Sequence, residues 1–239
     1  MRSVAAMSVA LAVLAVVAFA AENAKAPVMP GEKTTLFNGH DLAGWLPLVA
    51  DAKADAKAAW TVRDGVIRGA GRPATTLRTE TDYANYRLHV EWRWAAGTGG
   101  DAAVLIHVGG ADGTPLRAIQ CDLRAGDAGD VWLLSGAGVN GEATGRPTRV
   151  ARKADSNEKP LGEWNTCDVA ARGNTVRIVI NDAIQNELGG TTATSGRIGL
   201  QSAGKAVEFR NVYVEPLDAV PSGPSPLAPP VPAPQRGSR

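Results

Sequence analysis

The sequence predicts an all-β domain built as a two-sheet antiparallel sandwich. Three observations point there. Tyr86 to Trp94 alternates strictly, with Tyr86, Leu88, Val90, Trp92 and Trp94 on one face and Arg87, His89, Glu91 and Arg93 on the other. A period of two marks a strand with one buried and one wet face. Trp60 to Arg68 sets two strand-like runs around Asp64-Gly65, a dipeptide that accepts the positive φ of a tight hairpin. Glycine is abundant, 27 of 239 residues, and short alternating runs recur from end to end. That pattern suits many turns and strands rather than helices.

The chain divides into four parts. Residues 1–20 read as a cleaved secretory signal: Arg2 supplies a positive start, Val4 to Phe19 an apolar run, and Ala18-Phe19-Ala20 a small-x-small cleavage site. The run is short for a membrane span, so the expectation is a secreted or periplasmic protein with no membrane attachment after cleavage. Residues 21–31 read as a loose lead-in, and 32–217 as the folded domain. From 218 to 239 proline, serine and alanine dominate, with too little apolar bulk to fold. Acidic and basic residues nearly cancel, 24 against 25, and no basic cluster stands out. Nucleic acid and anionic membrane surfaces are therefore poor candidates for partners.

Taken in order, Thr35 to Trp45 reads as a short strand, an Asn38-Gly39 turn and an aromatic anchor. Asp51 to Ala59 suits either a short helix or a solvated loop. Beyond Trp94, Ala103 to Val108 is an apolar run carrying one imidazole, His107, and Arg117 to Leu123 points Ile119, Cys121 and Leu123 one way and Gln120 and Asp122 the other. Asn140 to Gly162 is polar and irregular, a long surface loop. Trp164–Ala171, Thr175–Ile180 and Ala183–Glu187 read as consecutive strands, with turns at Gly173-Asn174 and Asn181-Asp182. Gly196–Ser202 and Ala206–Leu217 form a final hairpin. In its last strand the apolar parity shifts from Val207 and Phe209 to Val212 and Val214, which calls for a bulge near Arg210-Asn211 to keep both pairs buried. The two cysteines, Cys121 and Cys167, both fall on strand positions, as buried thiols or as a bridge.

If the strands at Tyr86, Ala103 and Arg117 are neighbours in one sheet, Glu91, Arg93, His107, Gln120 and Asp122 share one polar face. An acid, a cation, an imidazole and an amide on a rigid sheet would make a site. The competing reading is structural: a solvated sheet face, a hydrogen-bonded core histidine at His107, an Arg93 that pairs with Glu91 or a cross-strand acid, and a core tryptophan at Trp132.

The residues also resemble a known family. Leu36-Phe37-Asn38-Gly39-His40-Asp41-Leu42-Ala43-Gly44-Trp45 opens the pattern, and Trp60-Thr61-Val62-Arg63-Asp64-Gly65-Val66-Ile67 follows. Then come Glu91-Trp92-Arg93-Trp94, Gly162-Glu163-Trp164-Asn165, Gly196-Arg197-Ile198-Gly199-Leu200-Gln201, and Phe209-Arg210-Asn211-Val212 with Pro216-Leu217. Together they resemble the bacterial 3-keto-disaccharide hydrolase domain. The resemblance implies a concanavalin-A-like jelly roll similar to 1,3-1,4-β-glucanases, with carbohydrate as ligand on a concave sheet face. Arg93, His107 and Trp132 match the pattern. The chain departs from it in two places. Asp101-Ala102-Ala103 stands where Asn-Ser-Gly is usual, and Gln120 then Asp122 stand where Glu then Gln is usual, which moves the carboxylate by about 7 Å along the strand.

Direct retaining hydrolysis needs two carboxyl groups about 5–5.5 Å apart, and the Glu-x-Asp-x-Glu run of glucanases is missing here. A 3-keto sugar allows another route, because the ketone acidifies the C2 hydrogen. A base removes it, the C1 substituent leaves, and water adds. On this expectation Asp122 or His107 is the base and Arg93 stabilises the enolate. Gln120, Asp101 and Glu91 bind hydroxyls, and Trp132 stacks on the ring. No cofactor is required, although a divalent metal held by His107 with Asp122 or Asp101 is an option. The alternative function is a non-catalytic carbohydrate-binding module of the same fold.

Overall fold

The structure is a computed structural model that describes residues 25–49, 55, 58–94, 97, 99–110 and 116–217. The expected signal segment, the start of the lead-in, the proline-rich tail and most of 51–59 lie outside the described residues. Eighteen strands follow in order: β1 (Thr34–Thr35), β2 (Trp45–Val49), β3 (Trp60–Arg63), β4 (Val66–Gly69), β5 (Thr75–Thr79) and β6 (Tyr83–Ala84). Next come β7 (Tyr86–Trp94), β8 (Asp101–Gly109), β9 (Arg117–Asp122), β10 (Val131–Leu134), β11 (Gly138–Val139) and β12 (Glu142–Ala143). The last six are β13 (Thr148–Val150), β14 (Asn165–Arg172), β15 (Thr175–Ile180), β16 (Ala183–Leu188), β17 (Ser195–Ala203) and β18 (Val207–Pro216). No α-helix occurs among the described residues.

Two antiparallel sheets face each other in a jelly-roll sandwich. Sheet one runs β16-β15-β14-β7-β18-β4-β3, with β1 on β18. Sheet two runs β13-β10-β9-β8-β17-β5-β2, with β6 on β17. The inward faces interdigitate. Leu88, Val90, Trp92, Val169, Ile178 and Phe209 of sheet one meet Val104, Ile106, Ile119, Ile198 and Leu200 of sheet two, all essentially without solvent contact. These side chains supply most of the apolar burial that stabilises the fold.

Local chemistry explains the elements. Asp64 and Gly65, both at positive φ (52° and 73°), turn β3 into β4. Asn181 and Asp182 (43° and 68°) do the same between β15 and β16. Asn38 closes its turn by accepting the His40 and Asp41 amides at 2.8 and 3.0 Å, while the Trp45 indole donates to Leu36 O at 2.7 Å. The bulge required by the parity shift is present. The β18–β7 register slips between Arg210 and Tyr213, Asn211 sits at φ 50°, and Val207, Phe209, Val212 and Val214 are all buried. The 151–164 loop is tied to both sheets by the Glu158 carboxylate, which accepts from Trp94 Nε1 (2.9 Å) and from the Gly126 amide (2.6 Å). The lead-in, expected to be loose, is pinned at Val28: its amide donates to Asp82 O at 2.8 Å and its carbonyl accepts from Ala84 at 3.0 Å.

One expectation about the sheets is corrected. β7 is not a neighbour of β8 and β9. β7 lies in sheet one between β14 and β18, and β8 and β9 lie in sheet two. β7 and β8, adjacent in sequence, thus belong to opposite sheets instead of sharing a surface.

Candidate functional site

Register fixes which residues share the outer face of sheet two. On β9, Ile119 and Cys121 point into the core, which turns Gln120 and Asp122 outward. Gln120 pairs with Leu105 on one side and Trp132 on the other, and Asp122 pairs with Ala103. Trp132 in turn pairs with Arg149 of β13. Gly199 and Gln201 of β17 continue the same face, opposite Leu105 and Ala103. Gly199 keeps the surface low there: an added Cβ would lie 3.1 Å from Leu105 Cβ and 3.3 Å from Thr76 Cγ2.

Of the expected site residues, Gln120, Asp122 and Trp132 therefore meet on one face, with Asp101 at its margin. Asp122 is 6% exposed. Burial pushes its carboxyl above the usual range; Arg124 opposes the shift, and Asp101 and Asp130 add to it. Arg124 Nε donates to Asp101 Oδ1 at 2.8 Å. Asp130 accepts from Arg149 Nε at 2.5 Å and from the Arg152 amide at 3.0 Å. Burial alone would raise the Asp130 carboxyl, but these bonds overcome it and hold the group below its usual range. Asp122 is thus a nearly buried acid flanked by two carboxylates already committed to arginines.

The other three expected residues are elsewhere, and each is a correction. Arg93 lies on the outer face of sheet one. Its Nε is 2.7 Å from Glu208 Oε2, and its guanidinium stacks 4.5 Å from the Trp164 ring centre. Glu91 sits beside it on β7 and accepts from Arg210 Nε (2.7 Å) and Asn211 Nδ2 (2.6 Å). These are cross-strand ion pairs of a wet sheet face, as the structural alternative holds. His107 is in the core. It occupies a bulge at φ 53°, where the β8 register slips against β9 and β17. Ile106 and His107 both turn inward there, while Val108 turns out to join Ala103 and Leu105. The imidazole meets the Tyr86 ring edge-on at 6.0 Å, with Nδ1 3.0 Å from Ala193 O. Burial pushes its pKa down to about 4, so it is neutral. It cannot join Asp122 as a base or as a metal ligand. Among the described residues, no three His, Cys, Asp or Glu side chains gather as a metal would require.

Two hollows, of about 480 and 630 Å³, lie on sheet one. Among their charged groups, Glu91 is held by Arg210 and Asn211, Arg93 pairs with Glu208, and Lys33 lies over the Tyr213 ring. The residues that sequence reading missed are Arg124, Asp130 and Arg149. Only the β9–β10–β13 register, set by loops of irregular sequence, brings them to Asp122 and Trp132.

Several solved structures of similar shape are carbohydrate-active or carbohydrate-binding proteins. One, assigned as a glycosyl hydrolase from Parabacteroides distasonis, superposes with a TM-score of 0.58 at 22% identity, covering 78% of this chain and 94% of that one. The Bacillus licheniformis β-glucanase gives 0.55 at 13%, covering 78% and 98%. The carbohydrate-binding module CBM66 of Bacillus subtilis gives 0.52 at 14%, covering 72% and 95%. At these identities the likeness is one of fold. No curated protein sequence matches the chain. Residues 32–215 match the 3-keto-alpha-glucoside-1,2-lyase-like domain, and with a match over that much of its length the chain belongs to this family.

Proposed function

We propose that the protein is an exported enzyme that cleaves 3-keto-glycosides on the outer face of sheet two, with Asp122 as the base. The observation that carries this is the Asp122 carboxyl: nearly buried, raised by that burial, and beside an arginine, an amide and an indole. A carboxylate with raised pKa is a stronger base, suited to removing a proton acidified by a neighbouring ketone. Asp122 takes the C2 proton, and the electron pair moves into an enolate on the C3 oxygen. The enolate re-forms the ketone as the C1–O bond breaks, and the leaving alcohol takes up a proton. Water then adds across the C1–C2 double bond, with the proton returning to C2. We assign stabilisation of the enolate to Arg124, the cation that opposes the Asp122 shift. Trp132 offers a ring face to the sugar, and Gln120 bonds its hydroxyls. Direct glycoside hydrolysis is disfavoured because Asp101 and Asp130, the carboxylates that act on Asp122 among the described residues, are held by Arg124 and Arg149.

A second reading, a carbohydrate-binding module without catalysis, is favoured by one observation: an amide, Gln120, holds the position beside Trp132. One experiment separates the two. The protein is incubated with a nitrophenyl 3-keto-glucoside and the released phenol is measured. Release that Asp122→Asn lowers by roughly 10²–10⁴-fold supports the enzyme. Saturable binding with no release supports the module, and release unaffected by Asp122→Asn removes Asp122 from the chemistry.

A further inference from the structure

We propose that Cys121 and Cys167 form a disulfide site that cross-links the two sheets through the middle of the core. Cys121 belongs to β9 of sheet two and Cys167 to β14 of sheet one. Both point inward, both are fully buried, and their sulfurs lie 4.0 Å apart as free thiols. The surroundings offer no other role. The register partners of Cys121 are Val104 and Val131, and those of Cys167 are Val90 and Ile180. The charge that acts on Cys167, the Asp168 carboxylate, works against the thiolate, so this sulfur is not set up as a nucleophile. The two are the chain's only cysteines, so no competing pairing exists within the molecule.

Closing the bridge draws the sulfurs together by about 2 Å, to the bonded distance of about 2.05 Å. The hydrogen bond with Cys121 and burial both hold the Cys167 thiol well above its usual range. The closed core is therefore a poor place for reaction, and the bond forms as the chain folds or opens. The oxidant is a disulfide donor. One cysteine thiolate attacks it, forming a mixed disulfide and releasing one donor thiol. The second cysteine thiolate attacks the protein sulfur of that mixed disulfide and releases the other. Two electrons pass from the cysteine pair to the donor, and the two cysteine protons end on the donor thiols. The bridge joins residues 46 positions apart, a loop long enough to restrict the unfolded chain substantially. Cys121 also lies between Gln120 and Asp122, so the bond would anchor the strand that carries them.

The test folds the full chain from denaturant with oxidised and reduced glutathione, and in parallel with dithiothreitol. Both samples are then denatured, alkylated and weighed. The expected result with glutathione is no alkylation, one Cys121–Cys167 linked peptide on non-reducing digestion, and a melting midpoint roughly 10 °C above the reduced sample. The Cys121→Ala/Cys167→Ala double variant should melt alike in both buffers. Because refolding can fail for unrelated reasons, native protein held with the same glutathione just below its midpoint gives a second measurement. Two alkylatable thiols in both experiments would overturn the proposal. So would a bridged form that melts no higher than the reduced one.

Discussion

Trp132 and Gln120 are register partners on adjacent strands, side by side on the outer face of sheet two. An indole next to an amide gives a sugar both a ring to stack on and a hydrogen-bonding partner. Trp132→Ala should raise KM for a 3-keto-glycoside by roughly tenfold, equivalent to about 1.4 kcal/mol of lost binding, while kcat changes little. Steady-state kinetics measure this. An unchanged KM would move the sugar off this face.

Asp122→Asn should separate activity from stability. The Asp122 carboxyl is raised in the folded protein, chiefly by burial, so its contribution to stability is complete below the unfolded pKa and is lost as pH rises through the folded value. At neutral pH the charged Asp122 therefore destabilises the fold, and an isosteric amide relieves that. Urea titration at pH 7 should find the variant at least as stable as the parent, while turnover falls by roughly 10²–10⁴-fold.

Arg93 makes the opposite case. Its ion pair with Glu208 is on sheet one and partly exposed, a setting in which such pairs contribute about 0–1 kcal/mol. Arg93→Gln should keep kcat/KM within about twofold and cost no more than about 1 kcal/mol in a urea melt. A large loss of turnover would return catalysis to the opposite surface.

Much of the fold was legible because turns and strands are local. Asp64-Gly65 fixed one hairpin, the parity of Val207 to Val214 required the bulge at Asn211, and the Tyr86–Trp94 strand appears with its predicted ends. The site was legible only in part. Gln120 and Asp122 share a face because they are two residues apart on one strand. Whether Arg93 joined them depended on which sheet β7 entered, a matter of long-range pairing that alternation cannot carry. His107 misled for a local reason, since one bulged residue reverses which face a side chain takes. Gly196 holds a trace of it: its φ is 153° and an added Cβ would lie 2.6 Å from His107 C, so β17 needs glycine where it passes the bulge.

That bulge has a consequence in acid. His107 is neutral in the core, with its pKa pushed down by burial to about 4 from 6.5. A base with depressed folded pKa contributes stability that is present above the unfolded value and lost as pH falls toward the folded one. Between pH 6.5 and 4 the group should withdraw about 3 kcal/mol. His107→Asn accepts the positive φ and can still donate to Ala193 O, so it should lower stability at pH 7 yet flatten the decline between pH 6.5 and 4. Urea midpoints against pH for both proteins decide it, and parallel curves would mean that His107 titrates normally.

Arg124 links the charges on the functional face. It is the leading cation that opposes the burial of Asp122, and it is itself held by Asp101. Removing its charge with Arg124→Gln leaves burial and the Asp101 and Asp130 carboxylates acting on Asp122 without that counterweight. The Asp122 carboxyl must then rise further, so the acidic limb of the kcat/KM profile should move to higher pH. If Arg124 also stabilises the enolate, the plateau falls as well, and the two effects read out separately: the limb reports the electrostatics of the base and the plateau reports the transition state. A lowered plateau with a fixed limb would assign the rate to another acid. A shifted limb with an intact plateau would make Arg124 a positioning charge for Asp122 and pass the oxyanion to another arginine of this face, Arg149 beside Trp132.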